Sequence, residues 1–364
     1  MKIAMVGQFP PHYGGVGVHI HSLAKELVSQ GHEVYVITYP HKELKDIDGI
    51  HVIGAKSIGI PGLRSLLFER SAEKALKELV EKEDIDIIHG HYLFPAGYAA
   101  VKIGNEYNIP TYVTAHGSDM FELYQKQAYI RPIIKKVLEK ADKVIAVSNA
   151  LKDEILATDA KNISNKLRVY YNYVDTSKFQ NNGKDDFRFE FYNLQKPIVL
   201  FVGNIIKRKN VNALLEAKKI SETDYLLVIV GEGPLLKDLK RKVDEEEIPD
   251  VVFTGARDDV ENIIPSAEML ILPSFSESFG LVLIEALSCG VPVIGSDVGG
   301  ISEIITEDVG LLIDSNDYVE ISVSIDELIE NVPLRNHFKA NARNRAKFFS
   351  KLEIPYDELR WLNV

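Results

Sequence analysis

The chain has 364 residues, 46% of them hydrophobic and 26% charged, an ordinary globular mixture for about two or three domains that excludes a disordered or collagen-like chain. Its single cysteine, Cys289, excludes an intramolecular disulfide and a cysteine-based zinc site, and suits a reducing compartment. The net charge of -11 is uneven: residues 1–180 hold 22 Lys+Arg against 21 Asp+Glu, and residues 181–364 hold 20 against 32, so nucleic acid finds no basic stripe.

Met1-Lys2-Ile3-Ala4-Met5-Val6 runs straight into a strand pattern without the segments of an export signal, and no apolar stretch approaches the roughly 18 residues that cross a bilayer. A cytoplasmic protein, or one peripheral to the inner membrane face, is expected. Short β-branched runs then alternate with longer amphipathic segments, the signature of strand-helix-strand units and parallel sheets. Strands are predicted near 2–7, 33–38, 51–55, 85–90, 110–115, 143–148 and 167–171. A second series follows near 197–203, 225–231, 251–255, 269–273, 292–296 and 310–313. Runs such as Ile198-Val199-Leu200-Phe201-Val202 are apolar on both faces, as in strands covered by helices on each side. The expected fold class is α/β, with two Rossmann-like doubly wound sheets facing a central cleft. The first domain is assigned to 1–175, a polar linker to 176–196 and the second domain to 197–345. A final helix over 346–364, carrying the only tryptophan, Trp361, is expected to pack back on the first domain.

Open α/β sheets bind ligands beyond the carboxyl ends of their strands, so post-strand residues are the candidates for chemistry. The first strand leads into Gly14-Gly15-Val16 and a helical pattern, a place where backbone amides can approach an anion or a sugar. It lacks the third glycine of the dinucleotide fingerprint, and the next strand ends in Thr38-Tyr39-Pro40 without a ribose-binding acid, so a nicotinamide cofactor is disfavoured. In the acidic half, Gly203-Asn204-Ile205-Ile206-Lys207-Arg208-Lys209 sets three cations at a strand-to-helix connection, suited to a diphosphate or to a solvated basic turn. Gly231 follows another strand in a short turn.

The most informative segment is Glu277-Ser278-Phe279-Gly280-Leu281 through Glu285. A helix is predicted to start near Ser278 and stop at Gly290, which gathers the amides around Phe279, Gly280 and Leu281 into an anion site. Glu277 and Glu285 would stand very roughly 10 Å apart along that helix, each able to accept hydrogen bonds from paired hydroxyls of a sugar. His116 closes a strand and is a candidate sugar contact or a structural histidine. His89 and His91, on one strand, are assigned to opposite faces, so a metal between them is disfavoured and none is expected elsewhere. The Asp46/Asp48 and Asp84/Asp86 pairs read as surface turns.

The Glu277-to-Glu285 segment, the glycine loop, His116-Gly117 and Asn172-Tyr173-Val174-Asp175 resemble, in order and over essentially the whole chain, the retaining glycosyltransferases of family four. The resemblance implies the GT-B fold and transfer of a hexosyl unit from a nucleoside diphosphate sugar to a glycan or lipid-linked hydroxyl, without metal or other cofactor. It further implies that Glu285 binds the ribose, Glu277 contacts the donor sugar near C3 and Lys209 holds the diphosphate. Phe279, Gly280 and Leu281 offer amides, His116 meets the sugar around O6, and Gly14, Gly15 and Val16 line the sugar-diphosphate loop. The family commonly has arginine where this chain has Asn204, so either Arg208 or Lys207 compensates for the missing charge or the donor is held more weakly. A sugar-nucleotide epimerase or hydrolase, or a non-catalytic nucleotide-sugar sensor, are the competing readings. Lys126, Arg131, Lys135 and Lys136, interleaved with Tyr124, Tyr129, Ile133 and Ile134, form either an anionic-membrane contact or a plain surface helix.

Overall fold

The computed structural model describes residues 1–11, 14–56, 64–181 and 196–356. Its contacts divide the chain into two units, Met1–Tyr171 with the described residues 353–356, and Asn172–Leu352.

In the first unit seven strands, β1 (Lys2–Val6), β2 (Glu33–Thr38), β3 (His51–Gly54), β4 (Ile87–His91), β5 (Thr111–Ala115), β6 (Lys143–Ala146) and β7 (Leu167–Val169), form one sheet in the order β3-β2-β1-β4-β5-β6-β7. All its pairings are parallel, with Val6 opposite both Ile37 and Gly90 and His91 opposite Thr114. Parallel neighbours need crossover connections, supplied by α1 (Gly15–Ser29), α2 (Arg64–Val80), α3 (Tyr98–Tyr107), α4 (Arg131–Lys140) and α5 (Asn149–Leu156). Apolar stripes on these helices cover the sheet: Ile37, Ile88, Phe68, Leu76, Ala100 and Ile103 share one fully buried cluster.

The second unit repeats the plan with β8 (Ile198–Val202), β9 (Leu226–Val230), β10 (Val251–Gly255), β11 (Met269–Leu272), β12 (Val293–Ser296) and β13 (Gly310–Ile313), in the parallel order β10-β9-β8-β11-β12-β13. Helices α6 (Val211–Ile220), α7 (Leu236–Glu245), α8 (Val260–Ile263), α9 (Leu281–Ser288), α10 (Ile301–Ile304), α11 (Tyr318–Glu330) and α12 (Val332–Phe348) complete it. The continuous apolar runs of β8, β9 and β11 are buried almost throughout, as strands enclosed on both faces must be. Every predicted strand is present, and both sheets have the doubly wound order of Rossmann-like domains.

Two details differ from the sequence reading. Asn172-Tyr173-Val174-Asp175, expected to close the first domain, packs with the second unit, where the Val174 amide donates to Phe349 O at 3.0 Å and Ser288 Oγ donates to Phe179 O at 2.6 Å. Helix α12 begins at Val332, capped by Asn331 Oδ1 on the Leu334 amide, and ends at Phe348, so of the helix expected over 346–364 only 346–348 is helical in the described part, as the last residues of α12. Residues 357–364 with Trp361, and 182–195 of the expected linker, lie outside the described residues.

The order of each sheet reverses beside one strand: β1 separates β2 from β4, and β8 separates β9 from β11. Crevices beyond the carboxyl ends of strands open at such switch points, which singles out the segments after β1 and β4 in one unit and after β8 and β11 in the other.

Candidate active site

In the second unit the segments after β8 and β11 meet through charge. Lys207–Lys209 is a single 3-10 turn, and Asn210, left-handed at φ 53°, breaks it from α6. This turn folds Lys209 inward, where its Nζ donates to Glu277 Oε2, and brings Arg208 Nη1 to 3.5 Å from the same oxygen and 2.7 Å from Ser276 O. The Phe275 amide closes the contact onto Arg208 O at 2.8 Å. Glu277 is only 7% exposed; burial works against its ionisation, but Lys209 and then Arg208 outweigh that and hold the carboxyl below its usual range. Asn204 and Lys207 are exposed. Of the two cations expected to make up for Asn204, Arg208 is the one beside Lys209.

Glycines make this convergence sterically attainable. A Cβ on Gly231 would lie 2.0 Å from Gly203 O, since the turns after β8 and β9 run against each other; the Gly203 amide donates to Val230 O and the Gly231 amide to Gly255 O. After β12, Gly299 and Gly300 press on the Glu277-Ser278 backbone so closely that Cβ atoms there would sit 2.0 and 2.3 Å from carbonyl oxygens, and the Gly300 amide donates to Glu277 O at 3.0 Å. The Gly299-Gly300 clamp escaped the sequence reading, although a glycine pair straight after a strand was its visible signal.

Helix α9 starts at Leu281 rather than near Ser278, because Gly280 is left-handed at φ 100° and acts as its N-cap. Its N-terminus carries no side-chain cap and no acidic residue in the first turn, leaving the positive end of the helix dipole to an anion. Phe279 is an anchor: its ring is buried edge-on against Phe349 at 5.5 Å. Glu285, one face of α9 further on, does not join Glu277. Burial pushes its carboxyl up to about 7, with Lys178 opposing and Glu261 adding to the rise. Lys178 and Glu261 form a 3.4 Å pair, and neither was singled out from sequence.

In the first unit Gly14 caps α1 without a side-chain bond, Gly14 and Gly15 are exposed and Val16 is half-buried, so an amide-rich turn follows β1. His116 follows β5 and is 8% exposed; its Nε2 lies 3.3 Å from Nδ1 of the fully buried His91. Buried Asp119 fixes that loop by accepting from the Gly117 amide at 2.8 Å and the Leu93 amide at 2.9 Å. The assignment of His89 and His91 to opposite faces is overturned: their rings are 4.1 Å apart, because residues two apart on a strand return to the same face. His89 is engaged elsewhere, by Tyr356 Oη at 2.5 Å and Thr114 Oγ1 at 2.8 Å.

The basic stretch after His116 resolves into a packed surface. Ile134 is buried, Lys126 pairs with Glu122 at 2.6 Å and Lys135 with Asp159 at 2.7 Å, and Arg131 donates to Tyr124 O and Gln125 O. Tyr124, Arg131, Lys135, Lys136 and Lys161 line a groove of about 600 Å³. No helix of the described residues is long and apolar enough to cross a membrane.

Comparison with known proteins shows the family and the fold. Residues 13–178 match the family described as Glycosyltransferase Family 4, and residues 183–345 that described as Glycosyl transferases group 1. The chain is 30% identical to N-acetyl-alpha-D-glucosaminyl L-malate synthase of Bacillus anthracis, over 96% of each chain. Among solved structures it is similar to sucrose-phosphate synthase from Thermosynechococcus elongatus (TM-score 0.87, 23% identity, 99% and 98% of the two chains). It is similar also to Anabaena HepE in complex with UDP-glucose (TM-score 0.83, 20% identity, 97% and 96%). The fold is that of the GT-B enzymes, and the chain belongs to the group 1 glycosyltransferases.

Proposed function

We propose that this glycosyltransferase moves a hexosyl unit from a nucleoside diphosphate hexose to a glycan or lipid-linked hydroxyl, with retention of the anomeric configuration and without a metal. The observation that carries this reading is the meeting of Lys209, Arg208 and Glu277 at the switch point of the second sheet, in the unit that also holds the uncapped start of α9. UDP-glucose bound to Anabaena HepE makes a uridine donor the first to test.

The diphosphate takes charge-assisted bonds from Lys209 and Arg208 and amide bonds from Gly280 and Leu281, so the charge that builds on the leaving group meets donors already fixed by folding. Glu277 Oε2 orients both cations, which leaves Oε1 to accept a hydroxyl of the transferred sugar. Glu285 accepts from the ribose, and doing so requires it to ionise. In the first unit, Gly14, Gly15, Val16 and His116 are sugar contacts. Glu277 is committed to two cations, which disfavours it as a covalent nucleophile. The reaction is then a displacement on one face, with the departing phosphate oxygen taking the acceptor's proton.

The test is a panel of UDP- and GDP-hexoses incubated with glycan and lipid-linked acceptors, the anomeric form of the product being read by NMR. Acceptor-dependent consumption with a retained α linkage is expected. Sugar released or altered without acceptor would replace this reading with an epimerase or hydrolase, and binding without turnover across the panel would make the protein a sensor.

A further inference from the structure

The charge site of the second unit leaves unexplained a group of imidazoles in the first. His19 on α1 and His91 at the end of β4 come from the two segments at the switch point of the first sheet, and His116 follows the neighbouring strand β5. Their ring centroids stand 5.6 Å (His19 to His91), 5.2 Å (His19 to His116) and 5.5 Å (His91 to His116) apart, a nearly equilateral triangle. One ring nitrogen of each lies within 4.8 Å of the other two.

His91 Nδ1 and His116 Nε2, the nitrogens that face each other, are 3.3 Å apart and share at most one proton; the other nitrogen of the His91 ring, Nε2, is buried with no partner and is not the one that would ligate. Burial, followed by the repulsion of the neighbouring rings, keeps His91 and His116 neutral far below the usual imidazole range, the form in which imidazole ligates a metal. Two nitrogens at about 2.0–2.1 Å from a tetrahedral zinc ion stand about 3.4 Å apart, close to the separation already present between His91 and His116. His19 is half-buried on the second turn of α1, with a ring nitrogen within 4.8 Å of the other two. His89 is no ligand, since both its nitrogens are taken. Three imidazoles with a fourth position open to water suit zinc, and the related ions cobalt, nickel and copper, better than magnesium or calcium, which prefer oxygen.

We propose that His19, His91 and His116 form a binding site for a zinc-class divalent cation, and that occupying it inhibits transfer by withdrawing the His116 ring from the sugar. The second half rests on the proposed sugar contact of His116; the first half does not.

Protein stripped with a chelator is titrated with zinc sulfate by calorimetry and, separately, with cobalt(II) while its visible spectrum is recorded. One tight equivalent and the absorption of a four-coordinate nitrogen site are expected for the wild type, with at least tenfold weaker binding in His91→Ala and in His19→Gln. His19→Gln changes a half-buried side chain and keeps the test readable if loss of the buried His91 ring unfolds the domain. Equal affinity and stoichiometry in wild type and His19→Gln would overturn the site, since the zinc would then sit on other histidines. UDP-glucose binding is measured alongside, with and without saturating zinc. A rise of at least tenfold in its apparent Kd is expected in the wild type and none in His19→Gln; an unchanged Kd with zinc bound overturns the inhibitory role. Should no nucleotide sugar bind at all, the transferase reading and with it the inhibition fail, while the zinc titration still decides the site.

Discussion

The two sheets have the same plan, yet their switch points carry opposite chemistry. The second unit brings a buried carboxylate against a lysine and an arginine, which hold that carboxyl below its usual range. The first collects imidazoles that burial keeps neutral around an amide-rich turn. A common backbone arrangement thus carries two different sets of side chains after its strands, a carboxylate with two basic groups in one unit and imidazoles in the other.

The sharpest way to break this contrast is Lys209→Ala. It strands the Glu277 carboxylate beside Arg208 alone and removes a charge-assisted bond to the diphosphate, so kcat/KM and UDP-sugar affinity should each fall by about a hundredfold or more. A fall under about fivefold would show that the anion is held elsewhere. Next in size is the glycine comparison. Gly231→Ala drives a methyl group into the Gly203 carbonyl and should destabilise the protein by about 2–4 kcal/mol in urea unfolding. At Gly14 the nearest atom to an added Cβ is 3.6 Å away, so Gly14→Ala should cost only about 1 kcal/mol, for its backbone angle.

Glu285 ties the second unit to pH. Its carboxyl is raised to about 7 in the fold, so the stability it lends is full below the unfolded value of about 4.5 and is lost as pH rises through 7. Ribose recognition runs the other way, because only the ionised form accepts two hydroxyl hydrogens. UDP affinity should therefore strengthen about tenfold from pH 6 to pH 8, and Glu285→Gln should bind weakly and with a flat profile. The smallest effect separates the two remaining cations: Arg208→Ala should weaken donor binding about fivefold and Lys207→Ala less than about twofold, by calorimetry. Equal losses would mean that exposed Lys207 shares the work of the arginine missing at Asn204.

The strands and the order of the two domains were legible in the sequence because apolar β-branched runs such as Ile198-Val199-Leu200-Phe201-Val202 have few other uses than an enclosed strand. The site was legible as residues but not as pairs. Lys209 and Glu277 are 68 positions apart, and nothing local says that a single 3-10 turn will fold the lysine onto that carboxylate. The start of α9 was misread because Gly280 looked like a helix residue rather than a left-handed cap. The imidazole triangle was missed for two reasons: His89 and His91 were assigned to opposite faces, and His19, carried by a helix, gave no sign of reaching them.

Tyr356 gives the first unit an unusual dependence on sequence order. This buried ring seals His89 and packs edge-on against Tyr112, yet it is contributed only after the whole second unit has been written. A ribosome that has released residues 1–171 has not yet supplied the plug for that core, so the N-terminal half emerges incomplete and is finished last. Expression of 1–171 alone should accordingly yield a protein with an open, aggregation-prone seam, which a synthetic peptide spanning 350–356 added in trans would close.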